Sequence, residues 1–290
     1  MMTGTVFIGQ EGIKNTMIQE MIPDRKSAFI TNDDSYTDIA RDYGLYLNLK
    51  TSAGDVYNDE IIFEKAEKII EDENPGFIRL HLQGAGTAGS QCDLPGNKNE
   101  KWYHNIWQEN SPYLKQLKID DQLIEEFINW MQYKGYWGTT TLFLLGDHGQ
   151  TVTGGHPPYD PESGKTELLI LGRDVKAGSS YDYAEMIDIA PTITRINNLT
   201  SLRYAQGRVL EEAFSWGKKP AGIRKEIKEL DEFLVINQYN FSNVDTALTG
   251  FLKIDRICDW HKFISPVSIS EFMKYEQKNI RGNAENVPLK

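Results

Sequence analysis

Cysteine is almost missing from this chain. Cys92 and Cys258 stand far apart and form no C-x-x-C pair, which excludes a disulfide scaffold and a cysteine-rich zinc site. No apolar run approaches the ~18 residues that a membrane span needs. The longest, such as Leu142-Phe143-Leu144-Leu145 and Leu168-Leu169-Ile170-Leu171, have the length of buried strands. A basic surface is lacking too: the formal charge is −11, with no Lys/Arg cluster to outweigh it. Nucleic-acid binders neutralise phosphates with a basic face, so that class is excluded. An acidic chain can still take a phosphate or sulfate ester if a metal supplies the positive charge. The start, Met1-Met2-Thr3-Gly4-Thr5, shows no basic segment leading into an apolar one. No signal peptide is visible, and the cytoplasm is the default location.

What is present is an ordinary globular composition, 40% hydrophobic and 25% charged over 290 residues. That length allows one large domain, or one domain with a small extension. Residues 26–31, 77–83, 139–145 and 167–171 read as buried strands rich in Ile, Leu, Phe and Thr. Between them, 59–73 reads as a helix with Ile61, Ile62, Ala66, Ile69 and Ile70 on one face. Residues 112–134 form another, with Leu114, Leu117, Leu123, Phe127 and Met131 at helical spacing. Such alternation predicts an α/β fold, a mostly parallel sheet with helices on both faces. Asp188 is placed to cap a further helix, with Pro191 in its first turn. A Gly/Lys/Pro linker at 216–222 then leads into an extension. The expected organisation is a domain over 1–214 and an extension over 215–290 packed on it.

The strand 140–145 runs into Gly146-Asp147-His148-Gly149. Ligands of open α/β sheets bind at the carboxyl ends of strands, where Asp147 and His148 fall. A carboxylate beside an imidazole, with glycines for a tight turn, suits a divalent metal. Gly154-Gly155-His156 adds a second imidazole on a nearby loop. Equally, Asp147 could cap a turn and leave both histidines solvated.

The wider pattern resembles the alkaline phosphatase superfamily, which includes sulfatases and type I phosphodiesterases/nucleotide pyrophosphatases. The resemblance runs from Ile119-Asp120-Asp121-Gln122-Leu123 through the Asp147-His148 and Gly154-Gly155-His156 segments. It continues over Leu169-Ile170-Leu171-Gly172, Val175-Lys176-Ala177-Gly178 and Ile187-Asp188-Ile189-Ala190-Pro191-Thr192-Ile193, and closes on Gly207-Arg208-Val209-Leu210. It spans residues 61–214. It implies hydrolysis of phosphate or sulfate esters at two divalent metals, zinc or else manganese or magnesium, at the carboxyl edge of the sheet. Asp147 and His148 map to the first metal and His156 to the second.

The sequence also departs from that pattern. An Asp-x-x-x-His element should follow the strand 77–83, and here Gly86 stands for the Asp and Ser90 for the His. His81 and Asp93 are near but have the wrong offset. The first strand with its metal-binding Asp, and the nucleophile loop, should precede the helix at 15–21. Residues 1–14 are short for both, and nothing marks Thr3, Thr5 or Thr16 as an activated hydroxyl. The expectation is therefore a site impaired in this chain, with metal at reduced occupancy or absent, and the alternative is a non-catalytic member with a binding or structural role. Glu162-Ser163-Gly164-Lys165-Thr166 mimics the end of a P-loop. Tyr159 occupies the position of its first Gly and the segment leads into a strand, so it reads as a turn.

Overall fold

Short strands with apolar residues on both sides need cover on both faces, and the helices of this chain supply it. The computed structural model describes residues 2, 15–50, 58–156, 162–181 and 183–218. Along the chain run α1 (Ile18–Met21), β1 (Ser27–Thr31), β2 (Leu45–Asn48), α2 (Glu60–Glu73), β3 (Phe77–Leu80) and α3 (Gly84–Gln91). Then follow α4 (Pro112–Tyr133), β4 (Thr141–Leu145), β5 (Leu168–Gly172) and α5 (Ile189–Ile196).

β1 is buried throughout and pairs in parallel with β2 on one side and β3 on the other. The period of a strand sends Ala28 and Ile30 to one face and Phe29 to the other. The first face packs on α2 and α4 through Ile62, Ala66, Ile69, Phe127 and Met131. The second packs on α1 and α5 through Met17, Ile18, Ile189 and Ile193. β4 and β5 add Phe143, Leu145 and Leu168 to that second core. The α/β class with helices on both faces is as the sequence predicts.

Several local expectations change. Among the described residues, β4 and β5 are not members of the parallel sheet; they form an antiparallel pair, Thr141 opposite Gly172 through Leu145 opposite Leu168. β2 was not expected at all, being four residues of which none is fully buried. The stretch that carries Gly86 and Ser90, for which the sequence suggested no element, is the helix α3. Asp188 sits at the N-cap of α5 without capping it. Its Oδ1 accepts from Arg208 N (2.9 Å) and its Oδ2 from Glu185 N (3.0 Å), so it ties the segment after α5 to the turn before it. The expected first strand and nucleophile loop, and most of the extension over 215–290, fall outside the described residues.

Glycine lowers helix propensity by ~1 kcal/mol per residue, and α3 has it at positions 84, 86 and 89. What holds this helix comes from elsewhere. Asp59, fully buried at the start of α2, accepts from Gln83 N (3.0 Å) and Gly84 N (2.8 Å), and so caps α3 from outside. The same carboxylate accepts from Asn32 Nδ2 at the end of β1 (3.1 Å) and from Gln116 Nε2 on α4 (3.5 Å). Gly84 is obligatory at this junction, since a Cβ there would run into the Asp59 carboxylate and the Gln116 amide.

Gln116 also donates to Asp120 (2.8 Å), which shares the buried stripe of α4 with Phe127 and Met131. Burial pushes the Asp120 carboxyl up to about 7, and the neighbouring Asp59 adds to the rise against the pull of Gln116. Below its ordinary value of 3.8 both folded and unfolded chains hold this proton. Between that value and about 7 only the folded chain does, so stability falls as pH rises through this window and levels off above it. Asp120→Asn imitates the protonated group. Its urea midpoint should be nearly flat between pH 5 and 8, while that of the parent drops. Parallel profiles for the two chains would contradict this assignment.

Candidate functional site

β4 delivers Leu145 to its carboxyl end and the chain then turns through Gly146-Asp147-His148-Gly149. Gly149 is required by close approach: a Cβ would strike the carbonyl oxygens of Glu162 and Lys165. The 162–166 segment is therefore a turn that props the loop, with Gly149 N donating to Ser163 O (2.8 Å) and Val152 N to Glu162 Oε2 (2.8 Å). Thr151 closes the next turn, donating from Oγ1 to Gly154 O (2.7 Å) and from N to Gly155 O (3.0 Å). Gly154 has φ +98°, and a Cβ there would meet the Gly89 carbonyl of α3. The Gly154-Gly155-His156 turn is thus seated against α3.

These turns bring the predicted residues together. Asp147 Oδ1 lies 3.5 Å from His148 Nε2, and the rings of His148 and His156 stack with centroids 3.9 Å apart. His148 Nδ1 lies 3.0 Å from the Gly149 carbonyl, which assigns the proton of a neutral ring to Nδ1 and leaves Nε2 bare toward Asp147. Backbone anchoring of one imidazole nitrogen leaves the other available as a metal ligand or base.

Two residues join from the parallel sheet. Tyr36, beyond β1, donates its hydroxyl to Asp147 Oδ2 (3.1 Å), and its ring packs on His81 at 4.1 Å between centroids. Burial, then the charge of Asp147 and the hydrogen bond to it, raise the Tyr36 phenol well above its ordinary value, so it remains a donor. Burial pushes the His81 imidazole down, which the Gln83 side chain partly opposes, while Arg79 pushes it further the same way. His81 is neutral at physiological pH. It was set aside in the sequence because it lacks the offset of a metal ligand, and no motif marks Tyr36. Asp93, the other neighbour considered, is engaged elsewhere with His104 at 2.8 Å. Thr16 is exposed ahead of α1, and Thr3 and Thr5 lie outside the described residues.

Gly86 and Ser90 occupy successive turns of α3, with Ser90 Oγ donating to Gly86 O (3.1 Å). Both lie on one helix face, as ligands spaced i, i+4 would. Neither side chain can replace a carboxylate and an imidazole. Among the described residues no three His, Cys, Asp or Glu side chains are grouped so as to hold a metal ion. The described side chains alone therefore do not fit a complete divalent-metal centre.

Residues 7–197 match the family model described as Sulfatase. The chain belongs to the sulfatase family, within the alkaline phosphatase superfamily. A solved structure of a protein in that superfamily from Vibrio parahaemolyticus superposes with a TM-score of 0.52 at 18% identity, over 74% of this chain and 53% of that one. This sulfatase-family chain thus spans about half the length of that relative. The lipoteichoic acid synthase LtaP from Listeria monocytogenes gives a TM-score of 0.45 at 15% identity, over 83% and 78% of the two chains. No curated protein matches the chain. At such identities the likeness is one of fold. Among the described residues no helix is long and apolar enough to cross a membrane.

Proposed function

We propose that this chain carries a phosphate- or sulfate-ester site of the sulfatase family at the carboxyl end of β4, impaired for turnover. Asp147 and His148 are its first metal-binding pair, and His156 is what remains of the second, for zinc or else manganese or magnesium. The observation that carries the reading is α3. It has the helical spacing that two further ligands require, yet bears Gly86 and Ser90 there. A zinc centre needs three or four protein ligands, so one imidazole does not sustain the second site. In the rest of the site, the Tyr36 hydroxyl orients the Asp147 carboxylate and Gly149 fixes the His148 ring.

The purified chain, supplied with zinc, manganese or magnesium, should turn over aryl phosphates, phosphodiesters and aryl sulfates hardly above background. Robust metal-dependent turnover that vanishes in Asp147→Ala would overturn the impairment and leave an ordinary hydrolase. The same α3 observation supports the alternative, a non-catalytic member (pseudoenzyme) that keeps the fold for binding or assembly. A folded chain that binds esters without cleaving them would favour it.

A further inference from the structure

Two buried carboxyl groups meet beside α3. Asp59, at the start of α2, is 2% exposed, and Asp120, on α4, is 7% exposed. Gln116 bridges them, its Nε2 2.8 Å from Asp120 Oδ1 and 3.5 Å from Asp59 Oδ2. The two acids also share a hydrogen bond with each other. An ionised carboxylate only accepts, so this bond exists only while one of the pair holds a proton. Asp59 already accepts from the Asn32 side chain and from the Gln83 and Gly84 amides. Those donors favour its charged form, which leaves the proton on Asp120.

The surroundings of the pair offer little to balance a second charge. Asp59 is the charged group that acts on Asp120. Glu60 and Asp121, their chain neighbours, are exposed, and α3 carries no titratable side chain. The Tyr113 phenol of α4 lies near Asp120 too, and burial, then that charge, raises it, so it stays neutral. When Asp120 loses its proton, the shared bond is lost and two like charges confront each other away from water. Separating Asp59 from Asp120 relieves the repulsion, and α3 lies at their junction. It packs on α4 and is tied to Asp59 through the two amides that open it. Its three glycines give it little helix propensity of its own.

We propose that the Asp59–Asp120 pair is a proton-operated latch for α3, which holds the helix while the shared proton is present and loosens it once that proton leaves. The Gly154-Gly155-His156 turn, seated against the Gly89 carbonyl, loosens with it. The latch does not depend on the hydrolase reading, since neither acid belongs to the candidate site. Burial holds the Asp120 carboxyl at about 7, so the latch works across neutral pH. An opening of α3 that exposes Asp120 returns it toward its ordinary value of 3.8. The opening equilibrium therefore rises about tenfold per pH unit between the two values.

Hydrogen–deuterium exchange of the full chain between pH 5 and 8, corrected for the intrinsic pH dependence of amide exchange, tests it. At each pH the α3 amides should exchange faster than the buried amides of α2 and β1, which marks an opening smaller than global unfolding. Their protection should fall about 10-fold or more from pH 5 to pH 8. Asp120→Asn keeps a donor for Asp59 and does not titrate, so protection of α3 should no longer vary with pH. Asp120→Ser retains a hydroxyl donor and carries the comparison if the first variant does not fold. Protection of α3 that is flat with pH in the parent would overturn the proposal. So would an equal pH dependence in a folded variant, or α3 amides that exchange only as fast as those of α2 and β1.

Discussion

Asp59→Ala is expected to destabilise the fold by about 3–5 kcal/mol, the range for breaking a buried polar network. One carboxylate there serves Asn32 beyond β1, the Gln83 and Gly84 amides that open α3, and Gln116 on α4. Alanine leaves the Asn32 amide and the Gln83 and Gly84 backbone N–H groups without this acceptor, while Gln116 keeps Asp120. Asp59→Asn should be little better, because its amide would present N–H groups to N–H groups. The urea midpoint should fall with an unchanged slope, as expected when stability alone changes. The decline in stability between pH 5 and 8 should also shrink, since Asp59 is one cause of the raised Asp120. An unfolding free energy within about 0.5 kcal/mol of the parent's, the ordinary range for a surface change, would mean that Asp59 does not hold α3.

The parts of this fold that were legible in the sequence are those whose stability is local. α2 advertises its buried face through Ile62, Ala66, Ile69 and Ile70 at helical spacing. α4 announces its start through Ser111, whose side chain accepts from the Leu114 amide, followed by Pro112. β1 is apolar enough to be read as a buried strand whichever neighbours it pairs with. α3 was illegible because its own residues argue against a helix and its cap comes from Asp59, 25 residues upstream of Gly84. β2 is too short and too evenly exposed to show a period.

The candidate site divides in the same way. Asp147, His148 and His156 could be picked out because they lie on two adjacent turns whose glycines the geometry requires. Tyr36 could not, being 111 residues from the Asp147 that it holds. His81 was weighed only as a metal ligand, a test it fails, and so its place against Tyr36 went unseen. Arg79 sits within a strand that reads as apolar, and only the fold shows its guanidinium lying over the Phe29 and Tyr36 rings.

On the proposed function, α3 and His156 face one another as the second metal position, with two ligands missing from the helix. Restoring them is feasible on this backbone. Gly86 is not among the positive-φ glycines, and a Cβ there would meet only the flexible tip of Gln83, at 3.1 Å. Ser90 is exposed, so a larger side chain has room. Gly86→Asp with Ser90→His places a carboxylate and an imidazole one turn apart, next to the Gly154-Gly155-His156 turn seated against Gly89. With His156 they make a three-ligand zinc set that leaves the fourth position open. The decisive measurement is zinc content after dialysis of the folded double variant. It should hold about one more zinc per chain than the parent, as a completed open site requires, and lose that zinc on adding His156→Ala. Zinc content unchanged from the parent in a folded double variant would contradict the account, because α3 and His156 would then not face a common site.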